Sequence, residues 1–145
     1  MIYQWKEASR IKADAQKAGE VCENLEKTVG LTSKTLLDAS RPEEAPLHKE
    51  FEWNDSKAAE KYREEQAGHI IRCLCVKPEK VHSEPVRAYF KVEQQTYSSI
   101  VKIQANAEKM SCLLDIAKKE LEAFEKKYRQ LKELDSVFRA IKEVV

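Results

Sequence analysis

Glycine is nearly absent from this 145-residue chain, occurring only at positions 19, 30 and 68. A loop that cradles phosphate needs several glycines close together so that backbone N–H groups can approach the anion. The scattered three exclude the P-loop and dinucleotide-binding signatures. Net charge is equally scarce: 26 basic side chains stand against 25 acidic ones, leaving +1. A domain that coats itself with nucleic acid carries a basic excess, so any such site here has to be a local patch. Apolar runs are also short, far below the roughly 20 residues that cross a bilayer. The first ten residues, MIYQWKEASR, hold no apolar leader core. We therefore expect no membrane and a cytoplasmic location. The four cysteines, Cys22, Cys73, Cys75 and Cys112, lack the density and spacing of a secreted disulfide scaffold, which suits a reducing compartment.

What is present is enough to fold. Hydrophobic residues make up 42% of the chain without a strong net charge, which separates it from disordered sequences. At this length a folded chain buries roughly 68–70% of its unfolded surface, so neither metal nor disulfide is needed.

The spacing of apolar residues predicts a single α+β domain, predominantly helical, over residues 1–145. Residues 4–29 read as one helix, with Ile11, Ala15, Ala18, Leu25 and Val29 recurring every three or four positions. Gly30 sits where a helix end favours a left-handed residue. Thr32 then caps a short second helix that turns Leu36 and Leu37 inward, and Pro42 ends it. Asn54 is the expected cap of a third helix over about 55–70, with Trp53 and Ala58 as a hydrophobic staple. The helical half thus covers 1–72. Within 73–95 the period changes to two: Ile70–Val76 and Val86–Val92 predict a two-stranded antiparallel β-ribbon. Its alternation turns Val86, Ala88, Phe90 and Val92 to the core, and Arg87, Tyr89 and Lys91 outward. Residues 96–145 return to helix. Met110, Leu114, Ala117, Leu121, Phe124, Tyr128 and Leu131 follow alternating steps of four and three, the seam of a coiled-coil-like helix. A shift of phase near 131–135 predicts a bend or a second helix, hence a helical hairpin or arm.

Three groups of residues could carry function. Arg87, Tyr89 and Lys91, with Lys77 and Lys80 nearby, interleave cations with an aromatic ring, which suits phosphate contact plus stacking. Helices followed by a basic ribbon also suggest a winged-helix-like arrangement for DNA binding. Against this, the ribbon region sets Glu79, Glu84 and Glu93 among its cations. The second group, Glu50, Phe51, Glu52, Trp53 and Asp55, clusters acids and aromatics in a connection, where a partner protein could dock. The competing reading has the aromatics plugging a helix junction. The third is the C-terminal seam, which serves either packing within the chain or association with a second helix, including a homodimer. Cys73 and Cys75, with His69 and His82, hint at zinc. Zinc sites, however, favour cysteine pairs with two to four residues between them, where Cys73 and Cys75 have one, and free cysteine packs as a small apolar residue. No metal, cofactor or catalytic residue is expected, and the chain reads as a non-enzyme.

One stretch resembles a known pattern. Pro46-Leu47-His48, Phe51-Glu52-Trp53-Asn54-Asp55, Ala58-Ala59, Tyr62-Arg63, Gln66-Ala67 and Ile70-Ile71-Arg72 resemble a motif of small uncharacterised phage and prophage proteins. Arg87-Ala88-Tyr89-Phe90, Glu120-Leu121, Lys127-Tyr128, Leu131 and Leu134 also fit, so the resemblance covers most of residues 31–141. Asn54 departs from an expected Asp, and Gly68 from an expected basic residue, which would weaken a basic patch on the third helix. The resemblance implies a viral or mobile-element protein working inside a bacterial cell, and it carries over no functional residue. Two functions follow as expectations: nucleic-acid association through the ribbon, or a protein-binding module such as an inhibitor of a host or anti-phage defence protein.

Overall fold

The structure is a computed structural model that describes residues 1–57, 59–77, 79 and 83–145. Its element order is β1 (Ile2–Trp5), α1 (Ala15–Lys27), β2 (Leu31–Thr32), α2 (Ser33–Ala39), α3 (Glu60–Cys73), β3 (Leu74–Lys77), β4 (Val86–Arg87), β5 (Tyr89–Lys91), β6 (Thr96–Ser99), α4 (Ile100–Gln104), α5 (Ala107–Tyr128) and α6 (Asp135–Val144). Short 3-10 turns occupy His48–Glu50 and Lys132–Leu134. The fold is α+β and predominantly helical. It divides into two units, Met1–Lys102 and Ile103–Val145.

In the first unit, local signals place most of the helices. Asp14 caps α1 by accepting the Lys17 N–H, and Gly30, at φ 91°, turns the chain after it, its N–H bonded to the Leu25 carbonyl. Thr32 and Thr35 form a reciprocal capping box on α2, which buries Leu36 and Leu37. The expected helix from residue 4 does not form at its start. Ile2–Trp5 instead pairs antiparallel with Leu74–Lys77, Tyr3 opposite Val76. The Tyr3 ring lies directly over Gly19, where an added Cβ would fall only 2.1 Å from the ring, so glycine is required for this approach.

The β region is larger than a ribbon. It forms two three-stranded antiparallel sheets, ordered β1-β3-β4 and β2-β6-β5. Ala88 is the junction: Val86 and Arg87 pair with β3, whereas Tyr89–Lys91 pairs with β6. The Ala88 N–H donates to Leu74, while its carbonyl accepts from Ile100. Changing sheets breaks the period-two alternation. Consequently Tyr89 points into the core and is fully buried, and Val86 is exposed. Thr96–Ser99, expected as helix, is the central strand of the second sheet. The core gathers Tyr3, Cys22, Leu31, Leu37, Leu47, Ile71, Leu74, Tyr89 and Tyr97.

The second unit is a helical hairpin. Asn106 caps the 22-residue α5 through the Lys109 N–H. The helix stops at Tyr128, and α6 begins at Asp135, which matches the phase shift in the apolar stripe.

Candidate functional site

The ribbon trio does not form a shared outer face. Tyr89 is buried, and its hydroxyl lies 3.4 Å from that of Tyr3, which donates to Glu23 at 2.6 Å. Burial drives the Tyr89 phenol far above its usual range, as it does for Tyr3, so both stay neutral. Arg87 is half-buried: its Nε donates to the Tyr89 carbonyl at 2.9 Å, and its guanidinium lies over the Phe90 ring. Tyr89 is thereby removed from the proposed stacking role, because the switch of sheets at Ala88 inverts the expected sidedness. Lys77 and Lys91 are exposed, and Lys80 lies outside the described residues.

Lys91 belongs to a different grouping. A cleft of about 370 Å³ is lined by Ser33, Lys61, Glu64, Glu65, Gly68, Arg72, Lys91, Gln95 and Tyr97. The Lys91 ammonium lies over the Tyr97 ring at 5.1 Å, and Arg72 donates to the Tyr97 hydroxyl at 3.4 Å. Three cations and two carboxylates thus line one cleft, and two of the cations, Arg72 and Lys91, touch its tyrosine. Sequence reasoning missed Arg72 because Ile70–Val76 reads as strand whereas α3 runs on to Cys73, and missed Lys61 because nothing in the sequence brings the start of α3 to the second sheet. Gly68 shapes this place, since a Cβ there would meet Arg72 at 3.0 Å and Ser33 at 3.1 Å.

The acidic and aromatic connection is used internally. Phe51 is buried, and the Trp53 indole N–H donates to the His48 carbonyl while its ring stacks on His48 at 4.7 Å. Glu50 accepts the backbone N–H groups of Lys12 and Ala13, and Asn54 donates its N–H to Glu52. Arg63, only 6% exposed in its side chain, ties the segment together. It donates to Asp55, to Glu60 and to the Glu52 carbonyl, and lies over the Trp53 ring. This latch explains why α3 starts at Glu60 rather than near 55. Asn54 instead holds the turn before it, accepting from Ser56. Of the expected staple, Ala58 lies outside the described residues. Glu50, Phe51, Glu52, Trp53 and Asp55 thus all make contacts within the junction, although the Asp55 side chain stays 87% exposed.

Cys73 and Cys75 are buried, as the packing expectation has them. Cys22 is buried as well, and Cys112 is exposed. Burial, with Glu26 and Glu23 adding to it, pushes the Cys22 thiol up to about 12. His69 comes within 3.6 Å of the Cys73 sulfur. Among the described residues no group of three or more His, Cys, Asp or Glu side chains could hold a metal ion; His82 is outside them.

The hairpin presents the least covered apolar surface. None of the 22 residues of α5 is buried. Leu114 is 53% exposed, Leu121 37% and Phe124 39%, and Ile116 and Leu131 are exposed as well. Helix α6 covers part of the stripe. Phe138 packs its ring against Phe124 at 6.3 Å, and Phe138 and Ile141 are buried. Helix α6 lies on the Glu125 flank: Glu125, Arg129, Asp135, Phe138, Arg139 and Lys142 line one cleft, and the Glu125 side chain is only 15% exposed. Two hydrogen bonds from Arg129, each 3.1 Å, hold the Glu125 carboxyl below the usual range, with Lys142 assisting. Contiguous apolar surface of this kind marks interaction sites on soluble proteins. Among the described residues no helix is long and apolar enough to cross a membrane. No protein-family model matches the chain, no curated protein shows significant sequence similarity to it, and no solved structure shows significant similarity to its fold.

Proposed function

We propose that this chain is a non-enzymatic accessory protein of the phage type, acting by binding, with its C-terminal hairpin as the protein-contact surface. The observation that carries this reading is α5: 22 residues with six positions of the apolar seam and no buried side chain. Two short helices alone bury little, and isolated helices are marginal in water, so such a seam gains most of its stability from a further partner. The partner is either a host bacterial protein, as an inhibitor would engage, or a second copy. A photo-crosslinking residue in place of Phe124 tests this in the producing bacterium. The expected result is one discrete adduct from position 124, lost when Leu114 and Leu121 are both changed to Ser. No adduct from 124, with helicity intact, would sink the reading.

A second reading, association with DNA, is favoured by one observation: Lys61, Arg72 and Lys91 line the cleft over Tyr97. It moves the contact from the ribbon to the junction of α3 with the second sheet. Fluorescence anisotropy with labelled DNA at about 50 and about 200 mM salt decides it, because neutralised phosphates make affinity fall steeply with salt. Arg72→Ala and Lys91→Ala should each flatten that dependence. No binding at the lower salt would exclude it.

A further inference from the structure

We propose that the occupant of the open α5 seam is a second copy of this chain, bound antiparallel, so that two hairpins make a four-helix bundle. This rests on the reading of the hairpin as a contact surface and names its partner. In a bundle each helix meets one neighbour on either side of its apolar seam. Here α6 occupies the side of Glu125, leaving the opposite side, with Glu120 and Lys127, open.

Charge chooses the direction. Taking Leu114, Leu121 and Tyr128 as one seam row of α5 and Ala117 and Phe124 as the other places Glu120 and Lys127 on the same flank, one heptad apart. A parallel pair would set Glu120 against Glu125 of the second copy, like-charged and on the flank that α6 already occupies. An antiparallel pair centred between Glu122 and Ala123 sets Glu120 beside Lys127 of the second copy, twice by symmetry. Sliding one heptad either way would put Glu120 beside Glu120, or Lys127 beside Lys127. The favoured register also fits by size: Leu121 meets Phe124 of the second copy, and the small Ala117 meets the large Tyr128. Charge and volume therefore select one direction and one register.

The chain carries its own probe, because Cys112 is exposed while Cys22, Cys73 and Cys75 are buried. Cys112 lies off the seam, so a nitroxide there leaves the pairing free. Sedimentation of the full chain should show a concentration-dependent dimer. Pulsed dipolar spectroscopy should place the two labels about 30 Å apart along the helix axis, from the rise of about 1.5 Å per residue. A parallel pair would bring them within about 20 Å, given interaxial distances of 8–10 Å. Glu120→Lys alone and Lys127→Glu alone should each weaken the dimer roughly tenfold, by placing like charges together at two symmetric points. The double variant should restore it.

A monomer at every concentration overturns the inference, as does a short label distance or a double variant no tighter than the single ones. The crosslink at position 124 separates this failure from failure of the underlying reading. An adduct with another protein but never with the chain itself removes the second copy and keeps the contact surface. No adduct at all removes both.

Discussion

Two amphipathic helices in this molecule have opposite fates. Helix α3, with 14 residues, buries Arg63, Ala67, Gly68, Ile70, Ile71 and Cys73. Helix α5, with 22 residues and a more regular apolar seam, buries none. In α3 the covering surface comes from α2, β5 and the loop latched by Arg63, each brought in by a local signal such as the Thr32 capping box. In α5 the only cover described in its own unit is α6, along one flank. A regular stripe measures how much surface a helix can bury, and its partners decide how much it does bury.

The largest expected effect sharpens that contrast. Leu37→Ala, at a fully buried position, should cost about 2–5 kcal/mol in urea unfolding. Leu114→Ala should change stability by no more than about 0.5 kcal/mol in dilute protein. Equal costs would break the comparison, because they would mean that the seam is already covered within the chain.

Next in size is the tie between α1 and β6. Glu26 accepts the Ser99 N–H at 2.6 Å and its hydroxyl at 2.9 Å. Glu26→Ala leaves both donors without that acceptor and should cost about 1.5–3 kcal/mol, read by the same unfolding experiment. A cost near zero would mean that water replaces the carboxylate freely there.

Alkaline pH should act on the first unit. The Cys22 thiol ionises near pH 8.5 in an unfolded chain but is pushed up to about 12 in the fold. Above about pH 8.5 the unfolded state therefore loses a proton that the folded state keeps, and stability falls as pH rises toward 12. Tyr3 and Tyr89, both raised by burial, act in the same direction. Cys22→Ala should flatten the slope of melting temperature against pH between about 8.5 and 11. An unchanged slope would assign the effect elsewhere.

The smallest perturbation is chemical labelling. A maleimide reagent on the native protein at neutral pH should modify Cys112 quickly and Cys22, Cys73 and Cys75 only on unfolding. Rapid loss of a second thiol would show that the first unit opens more readily than its packing implies.

The sequence was most legible where structure is local. The Gly30 turn, the Thr32 cap, the inward pair Leu36 and Leu37, and the break between α5 and α6 all follow from neighbours a few positions apart. What it hid depends on distant partners. Gln4 and Trp5 read as helix entry until Leu74–Lys77 is there to pair with their strand, and Thr96–Ser99 reads as helix until β2 and β5 flank it. The outer face of the ribbon was misread for the same reason. One residue, Ala88, passes the chain between sheets and turns Tyr89 inward, so alternation around it misassigns the outer face. Arg63 was visible only as part of a resemblance, although it anchors the acidic loop. The seam of α5 was the candidate least altered, because a long helix keeps its spacing whatever it packs against.

The most direct test of the central claim, that the α5 seam is a contact surface and the first unit is complete without it, is hydrogen exchange followed by mass spectrometry over a range of protein concentrations. Amides of α3 and of the two sheets should be protected equally at every concentration. Those of α5 should gain protection as concentration rises. Protection of α5 that stays constant from the most dilute to the most concentrated sample, and is as strong as that of α3, would contradict the account.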